Sequence, residues 1–390
     1  MARLGDVCEK RVDTIKATYE GDIDYIDISS VDNQRKEITQ TQSMSIADAP
    51  SRAKQLVFPG DILVSTVRPN LNAVALVTEN SDNTLVASTG YCVLRCLPNV
   101  DNKYVFYFCQ SPAFIDKMVA QATGASYPAV TSAIVKECTI PLPPLEEQRR
   151  IAALLDRVSD LIAKRRAQLD KLDLLVKARF VEMFGDPGSN PMRWDTVELS
   201  HCLSGIDNGK SLVCDTKPRQ GNWPAILKLS AATYGYYQPE ENKAMLNENE
   251  FVNSAEVQVG DLLFTRKNTP ELVGMCAYVY ETPGKLMMPD LIFRLNTNET
   301  CNRIFLWKLI NHDLFRENIK AISSGSAKSM SNISKERLCE LKIILPPIEL
   351  QQQFVDFVRQ TDQSKLTIQQ SLDKLETLKK ALMQQYFGDL

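Results

Sequence analysis

The feature that most constrains this chain is an internal echo. Pro143-Pro144-Leu145-Glu146-Glu147-Gln148 returns 203 residues later, without a gap, as Pro346-Pro347-Ile348-Glu349-Leu350-Gln351. At the same offset Leu169-Asp170-Lys171-Leu172 returns as Leu372-Asp373-Lys374-Leu375, and Phe184-Gly185-Asp186 as Phe387-Gly388-Asp389. The preceding blocks echo each other near an offset of 200: Gly60-Asp61-Ile62-Leu63 with Gly260-Asp261-Leu262-Leu263, and the small-residue loop at Gly124 with the one at Gly325. Solenoid units run to about 20–50 residues, so a period this long marks a duplicated domain. The chain reads as domain, helix, domain, helix, over 1–144, 145–186, 187–347 and 348–390.

The helical stretches follow from periodicity. After the first Pro-Pro, apolar residues recur in steps of three and four, apart from Arg165, at Ile151, Leu155, Val158, Ile162, Leu169, Leu172 and Val176, and Leu154, Leu161 and Leu175 widen the stripe. The second copy offers Phe354, Val358, Leu372, Leu375, Leu378 and Leu382, with a polar middle around Thr361 and Lys365. Each stretch starts after proline and stops at Phe-Gly-Asp, where glycine supplies a C-terminal stop. Leu145 to Met183 is 39 residues, about 58 Å of helix at ~1.5 Å per residue. A helix that long calls for a coiled-coil partner, and the other copy is the obvious one.

The two large blocks are mixed. Short strands are expected at Ile23–Ser30, Gly60–Arg68, Gly90–Cys96, Ala225–Thr233, Gly260–Lys267 and Asp290–Asn296. Helices are expected over Asn102–Ala122 and Asn302–Ile322. Each block is therefore α+β, and the whole is two tandem similar domains with two long helices, a pseudo-two-fold duplication.

Composition excludes several classes. No apolar run approaches the ~18 residues that span a bilayer, and the start lacks the apolar core of a secretory leader. The ten cysteines are scattered, without a CxxC pair, and read as reduced and mostly buried. With two histidines, His201 and His312, a multi-histidine metal site or a Ser-His-Asp design has little to work with. Net charge is −3, and blocks 1–144, 145–186, 187–347 and 348–390 carry −3, +1, 0 and −1. Any nucleic acid must meet a local basic face, because bulk charge is missing.

No GxxxxGK[ST] loop, GxGxxG turn or Asp/Asn-Pro-Pro-aromatic motif occurs; Asn190–Trp194 lacks the second proline and reads as a linker. What does recur is a cluster of basic, amide and hydroxyl residues just after an apolar strand. In the first block these are Ser65, Thr66, Arg68 and Asn70; in the second, Thr265, Arg266, Lys267 and Asn268. Arginine matches guanine O6 and N7, asparagine matches adenine, and hydroxyls or amides reach phosphate. The loops with Gly124, Ser126 and Tyr127, and with Ser326 and Lys328, add small residues that admit a phosphate close to backbone N–H groups. A polar hairpin on a solvated face is the alternative reading of the same residues.

Taken together, Ile140–Asp156, Glu182–Pro187, Gly60–Asn70, Gly124–Val130 and the second copies near the C-terminus resemble the specificity subunit of a type I restriction-modification system. The likeness runs over essentially the whole chain. The second copy departs from the first, lacking Arg-Pro after its strand and Tyr-Pro in its loop. The resemblance implies two target-recognition domains, each reading half of a bipartite, asymmetric site in double-stranded DNA. It implies an antiparallel coiled coil whose seam holds Ile151, Leu155, Val158, Ile162, Leu169, Leu172, Val176, Phe354, Val358, Leu372, Leu375 and Leu382. It further implies two modification (methyltransferase) subunits and restriction/translocase subunits as partners, in the cytoplasm and away from membranes. S-adenosylmethionine, ATP and Mg would sit on those partners, with no cofactor, metal or catalytic residue on this chain. Two other classes stay open: a methyltransferase or nuclease with undetected motifs, and a non-DNA scaffold built on the coiled coil.

Overall fold

A computed structural model of the chain describes residues 1–78, 81–124, 126–324 and 330–388. The chain divides into two compact units. One joins Met1–Gln168 to Thr367–Leu390, and the other is Leu169–Leu366. Helices and strands are mixed in both.

In the first unit a three-stranded antiparallel sheet is the middle layer, ordered Tyr91–Leu94, Ile62–Ser65, Val74–Leu76. Its central strand is buried at all four positions. Ile62 and Val64 pack toward Tyr104 and Phe108 of the helices, and Leu63 packs toward Ile26 and Ala87. That two-sided burial explains why the strand reads as an uninterrupted apolar run, without the alternation of a half-solvated strand. Ile26 and Ala87 belong to a four-stranded sheet ordered Gln42–Ser45, Asp22–Ile26, Thr84–Ser88, Ala53–Leu56. The second unit repeats the plan. Leu262 and Phe264 of the strand Leu262–Thr265 face the helical core with Phe305 and Leu309, while Leu263 faces Leu227, Ala277 and Ile292.

Several expected elements are shorter than the sequence suggests. The stretch Asn102–Ala122 is two helices, Asn102–Phe108 and Pro112–Ala120. Ser111 caps the second by accepting from Phe114 N, and Pro112, with no N–H to lose, opens it. Asn302–Ile322 is likewise broken into Arg303–Ile310, a 3-10 turn at Asp313–Phe315 and Arg316–Ala321. Ile23–Ser30 leaves its strand at Ile26 for a 3-10 turn. The strand expected over Ala225–Thr233 ends at Leu227, and Ser230–Thr233 is a helical turn that buries Ala231 and Ala232.

Two helices of 40 residues, Leu145–Phe184 and Ile348–Phe387, dominate the chain. The first is closed by Gly185, whose φ of 77° few residues other than glycine adopt and whose N–H bonds Val181 O. Within the first unit, Ile151, Ala152 and Leu155 near the start of one helix share a core with Met383 and Phe387 at the end of the other. Farther along, Arg166 pairs with Glu376 at 2.7 Å. Within the second unit, Phe180 and Phe184 meet Phe354 at ring centroids 5.4 and 5.5 Å apart, and Lys365 pairs with Asp173. The helices therefore run in opposite senses in each unit.

Of the seam residues, Ile151, Leu155, Val158, Ile162, Val176, Phe354, Val358 and Leu372 are buried. Leu169, Leu172, Leu375 and Leu382 are half-buried. Leu161, Leu175 and Leu378 are exposed, so the apolar stripe is narrower than periodicity alone suggests. All ten cysteines are free thiols, seven of them buried. Among the described residues no helix is long and apolar enough to cross a membrane, and no group of three or more metal-ligating side chains exists.

Candidate nucleic-acid interface

The loop after Ile62–Ser65 is built from backbone hydrogen bonds. Thr66 N donates to Gly90 O at 2.9 Å, Arg68 N to Pro128 O at 2.7 Å, and Val130 N to Thr66 O at 2.9 Å. These bonds stitch the turn at Val67–Asn72 to the loop at Tyr127–Val130. The turn itself is a 3-10 segment, Pro69–Leu71, flanked by two left-handed residues, Arg68 at φ 49° and Asn72 at φ 47°. A left-handed backbone costs a non-glycine residue about 1–2 kcal/mol. Asn72 is held there by its neighbours: its amide donates to Cys109 O at 2.8 Å, and Lys36 Nζ donates to its Oδ1 at 2.9 Å.

The result is a fixed presentation. Arg68 is exposed, with its guanidinium 4.8 Å over the ring of Tyr127, which is 67% exposed. Asn70 and Ser126 are exposed too. Gly124 sits at φ 104°, and a Cβ there would meet Tyr127 O at 2.8 Å, so the loop closes only on glycine. Arg68, Asn70, Gly124, Ser126 and Tyr127 thus belong to two loops bound to each other.

Four residues of the expected contact set lie inside the fold. Ser65, Thr66, Thr265 and Asn268 are buried, and their polar atoms already have partners inside the protein. Ser65 Oγ donates to Val67 O, Thr66 Oγ1 to Gly90 O, Thr265 Oγ1 to Met275 O, and Asn268 Nδ2 to Thr233 Oγ1. A strand end turns its first hydroxyls inward to satisfy the backbone that leaves the sheet, and sequence alone does not show that direction.

In the second unit Arg266 and Lys267 remain, both half-buried. Arg266 N donates to Leu291 O and its carbonyl accepts from Ile333 N, while Lys267–Asn268 pairs with Ser331–Asn332. The Arg266 guanidinium lies 5.2 Å over Phe293, and among the described residues its Nε is buried without a hydrogen-bond partner. Ser326 and Lys328 lie outside the described residues.

Other residues were not singled out by spacing. Tyr234 and Tyr236, both exposed, directly follow the Thr233 that binds Asn268; their signal is the aromatic run Tyr234-Gly235-Tyr236-Tyr237. The repeated Gly-Asp fixes where each strand enters. Asp61 accepts from Phe58 N and takes two bonds from Arg95, at 2.9 and 2.8 Å. Asp261 accepts from Gln258 N and from Arg294 Nε at 2.9 Å. Burial pushes the Asp261 carboxyl up, against the pull of Arg294. His201 is exposed, whereas His312 is buried against Phe180 and caps the Asp313–Phe315 turn.

Comparison with known proteins matches residues 1–172 and 212–379 to the family described as the type I restriction modification DNA specificity domain. Among curated relatives, the EcoKI specificity subunit of Escherichia coli strain K12 is 21% identical over 385 residues, covering 94% of this chain and 83% of that one. The Escherichia coli EcoEI specificity subunit is 30% identical over 190 residues, 47% of this chain and 32% of that one. A solved structure from work on complex assembly and conformational transition of the type I R-M system is 26% identical, with a TM-score of 0.56 over 100% of this chain and 97% of that one. The S subunit of a type I system from M. genitalium, 15% identical with a TM-score of 0.57 over 100% and 96% of the two chains, shares the fold.

Proposed function

This chain belongs to the type I restriction modification DNA specificity family, and from that premise we propose how it works as the specificity subunit of such a system. It reads a bipartite, asymmetric site in double-stranded DNA, one half with residues 1–144 and the other with 187–347. The observation that carries this reading is the duplicated strand exit. In each unit a doubly buried strand delivers an arginine just past its end, Arg68 beside a 3-10 turn and Arg266 between two strands, each pinned by backbone hydrogen bonds. A rigidly presented arginine suits bidentate readout of guanine in the major groove. The surroundings differ, an exposed Tyr127 in one unit and a buried Phe293 in the other, which favours unlike half-sites.

Residues 145–186 and 348–390 act as an antiparallel coiled coil that sets the spacing of the half-sites. A stiff spacer makes the second contact intramolecular, at high effective concentration. Two modification subunits and the restriction subunits assemble on this frame and carry S-adenosylmethionine, ATP, Mg and the chemistry, while this chain supplies the address. The test is methylome sequencing of cells that carry the chain with its modification subunit, before and after residues 1–144 are exchanged for another such domain. One bipartite motif is expected, and the exchange should rewrite one half only. If both halves change together, the assignment of one half to each domain is wrong.

A further inference from the structure

The glutamine that ends each Pro-Pro repeat is polar yet fully buried: Gln148 is 1% exposed and Gln351 0%. Each lies in the first turns of a long helix and bonds in two directions. Gln148 Nε2 donates to Pro143 O at 2.8 Å, and its Oε1 accepts from Asp101 N at 3.0 Å. Gln351 Nε2 donates to Pro346 O at 2.8 Å and Thr300 O at 3.1 Å, and its Oε1 accepts from Asn302 N at 2.9 Å.

Asp101 and Asn302 are the N-caps of the helices Asn102–Phe108 and Arg303–Ile310. In a capping box, a Glu or Gln three residues after the cap bonds back to the cap's own N–H. Here that position holds Tyr104, whose hydroxyl reaches Pro141 O instead, or Phe305, which has no polar atom on its side chain. The missing half of the box comes instead from the long helix. The same aromatics pack on the long helices, Tyr104 on Phe387 at 5.2 Å and Phe305 on Phe184 at 5.1 Å. One amide with both a donor and an acceptor in use fixes a distance and an angle together. In the first unit Lys103–Asp156 and Tyr107–Asp156 reinforce the same joint from its more exposed side.

We propose that Gln148 and Gln351 are positioning residues for DNA recognition. They hold each domain at a set angle on its long helix and thereby select the gap between half-sites, without touching a base. This rests on the bipartite reading above. The experiment measures methylation by the full complex on a plasmid library whose sites differ only in gap. It compares wild type with Gln148→Met and Gln351→Met, which keep the volume and remove the bonds, and with Gln148→Glu, which keeps the acceptor for Asp101 N–H. A stability control, Ile26→Ala, lies in the core of the four-stranded sheet.

Both Met variants should methylate the same half-sites while their preference for the native gap over gaps one base pair longer or shorter falls about tenfold, the equivalent of one hydrogen bond's net worth. Gln148→Glu should lose less, and Ile26→Ala should lower total methylation with the gap preference intact. Wild-type gap preference in the Met variants would overturn the proposal, as would altered half-site bases. Should Gln148→Met not accumulate as folded protein, the Glu variant decides by the same two criteria. Absence of any bipartite motif with the wild-type chain would instead overturn the functional reading itself.

Discussion

Arg68 keeps an exposed guanidinium on a strained backbone, whereas Thr66, two residues earlier, turns its hydroxyl into the protein. The two side chains therefore respond to truncation in different currencies. Arg68→Ala and Arg266→Ala are expected to weaken binding of the specific site by about 1–3 kcal/mol each, as for one lost bidentate base contact, with little change in melting. Thr66→Ala should leave affinity nearly unchanged and cost about 0.5–1.5 kcal/mol of stability. Titration of site DNA and thermal melting of the same proteins separate the two; unchanged affinity in both arginine variants would make these residues structural. His312 has a third role. Burial lowers its pKa, and as a neutral ring it accepts from Leu314 N through Nδ1 while Nε2 faces Lys177 O. The unfolded chain binds that proton more readily, so the stability held above about pH 6.5 is lost as pH falls toward the lowered folded value. His312→Gln should flatten that part of a stability-against-pH curve, and an unchanged slope would assign it to other groups. The residues Ser65, Thr66, Arg68 and Asn70 were legible as a polar cluster. Which of them point outward was not, because that depends on Gly90 O and Val67 O, acceptors whose positions only the folded backbone defines.

At the scale of elements, the long helices were legible because their limits are written in proline and glycine, and their buried faces in steps of three and four. The short helices end sooner than their apolar pattern suggests. Asn102–Ala122 is apolar enough to continue, but Ser111-Pro112 starts a new helix at the cost of the old one. Leu161, Leu175 and Leu378 fall outside the buried stripe, since periodicity counts apolar residues without knowing how much surface faces them. Helix length yields a prediction of its own. Four residues inserted after Leu169 add about 6 Å and nearly preserve the helical phase, and DNA rises ~3.4 Å per base pair. The methylated gap should lengthen by about one or two base pairs with both half-sites unchanged. Two inserted residues rotate the stripe by ~200°, take Leu172 and Val176 off the seam, and should abolish assembly. Methylome sequencing of both variants is the check; an unchanged gap in an active four-residue variant would show that these helices do not set the spacing.

At the scale of the whole molecule, the duplication was legible and the composition of its units was not. Offsets of 200 and 203 reveal two similar blocks, yet nothing in them says that residues from Thr367 onward complete the unit that begins at Met1. That assignment depends on Phe387 reaching Tyr104 and Phe108, a contact between residues about 280 apart in sequence. Its consequence falls on synthesis. Domains generally fold as they emerge, at ~5–20 residues per second, so the roughly 200 residues between Gln168 and Thr367 take about 10–40 s to make. Throughout that interval residues 1–168 are without Met383 and Phe387, and the core around Tyr104 and Phe108 lacks that side. Met383 and Phe387 thus complete a core whose other members were made more than 200 residues earlier.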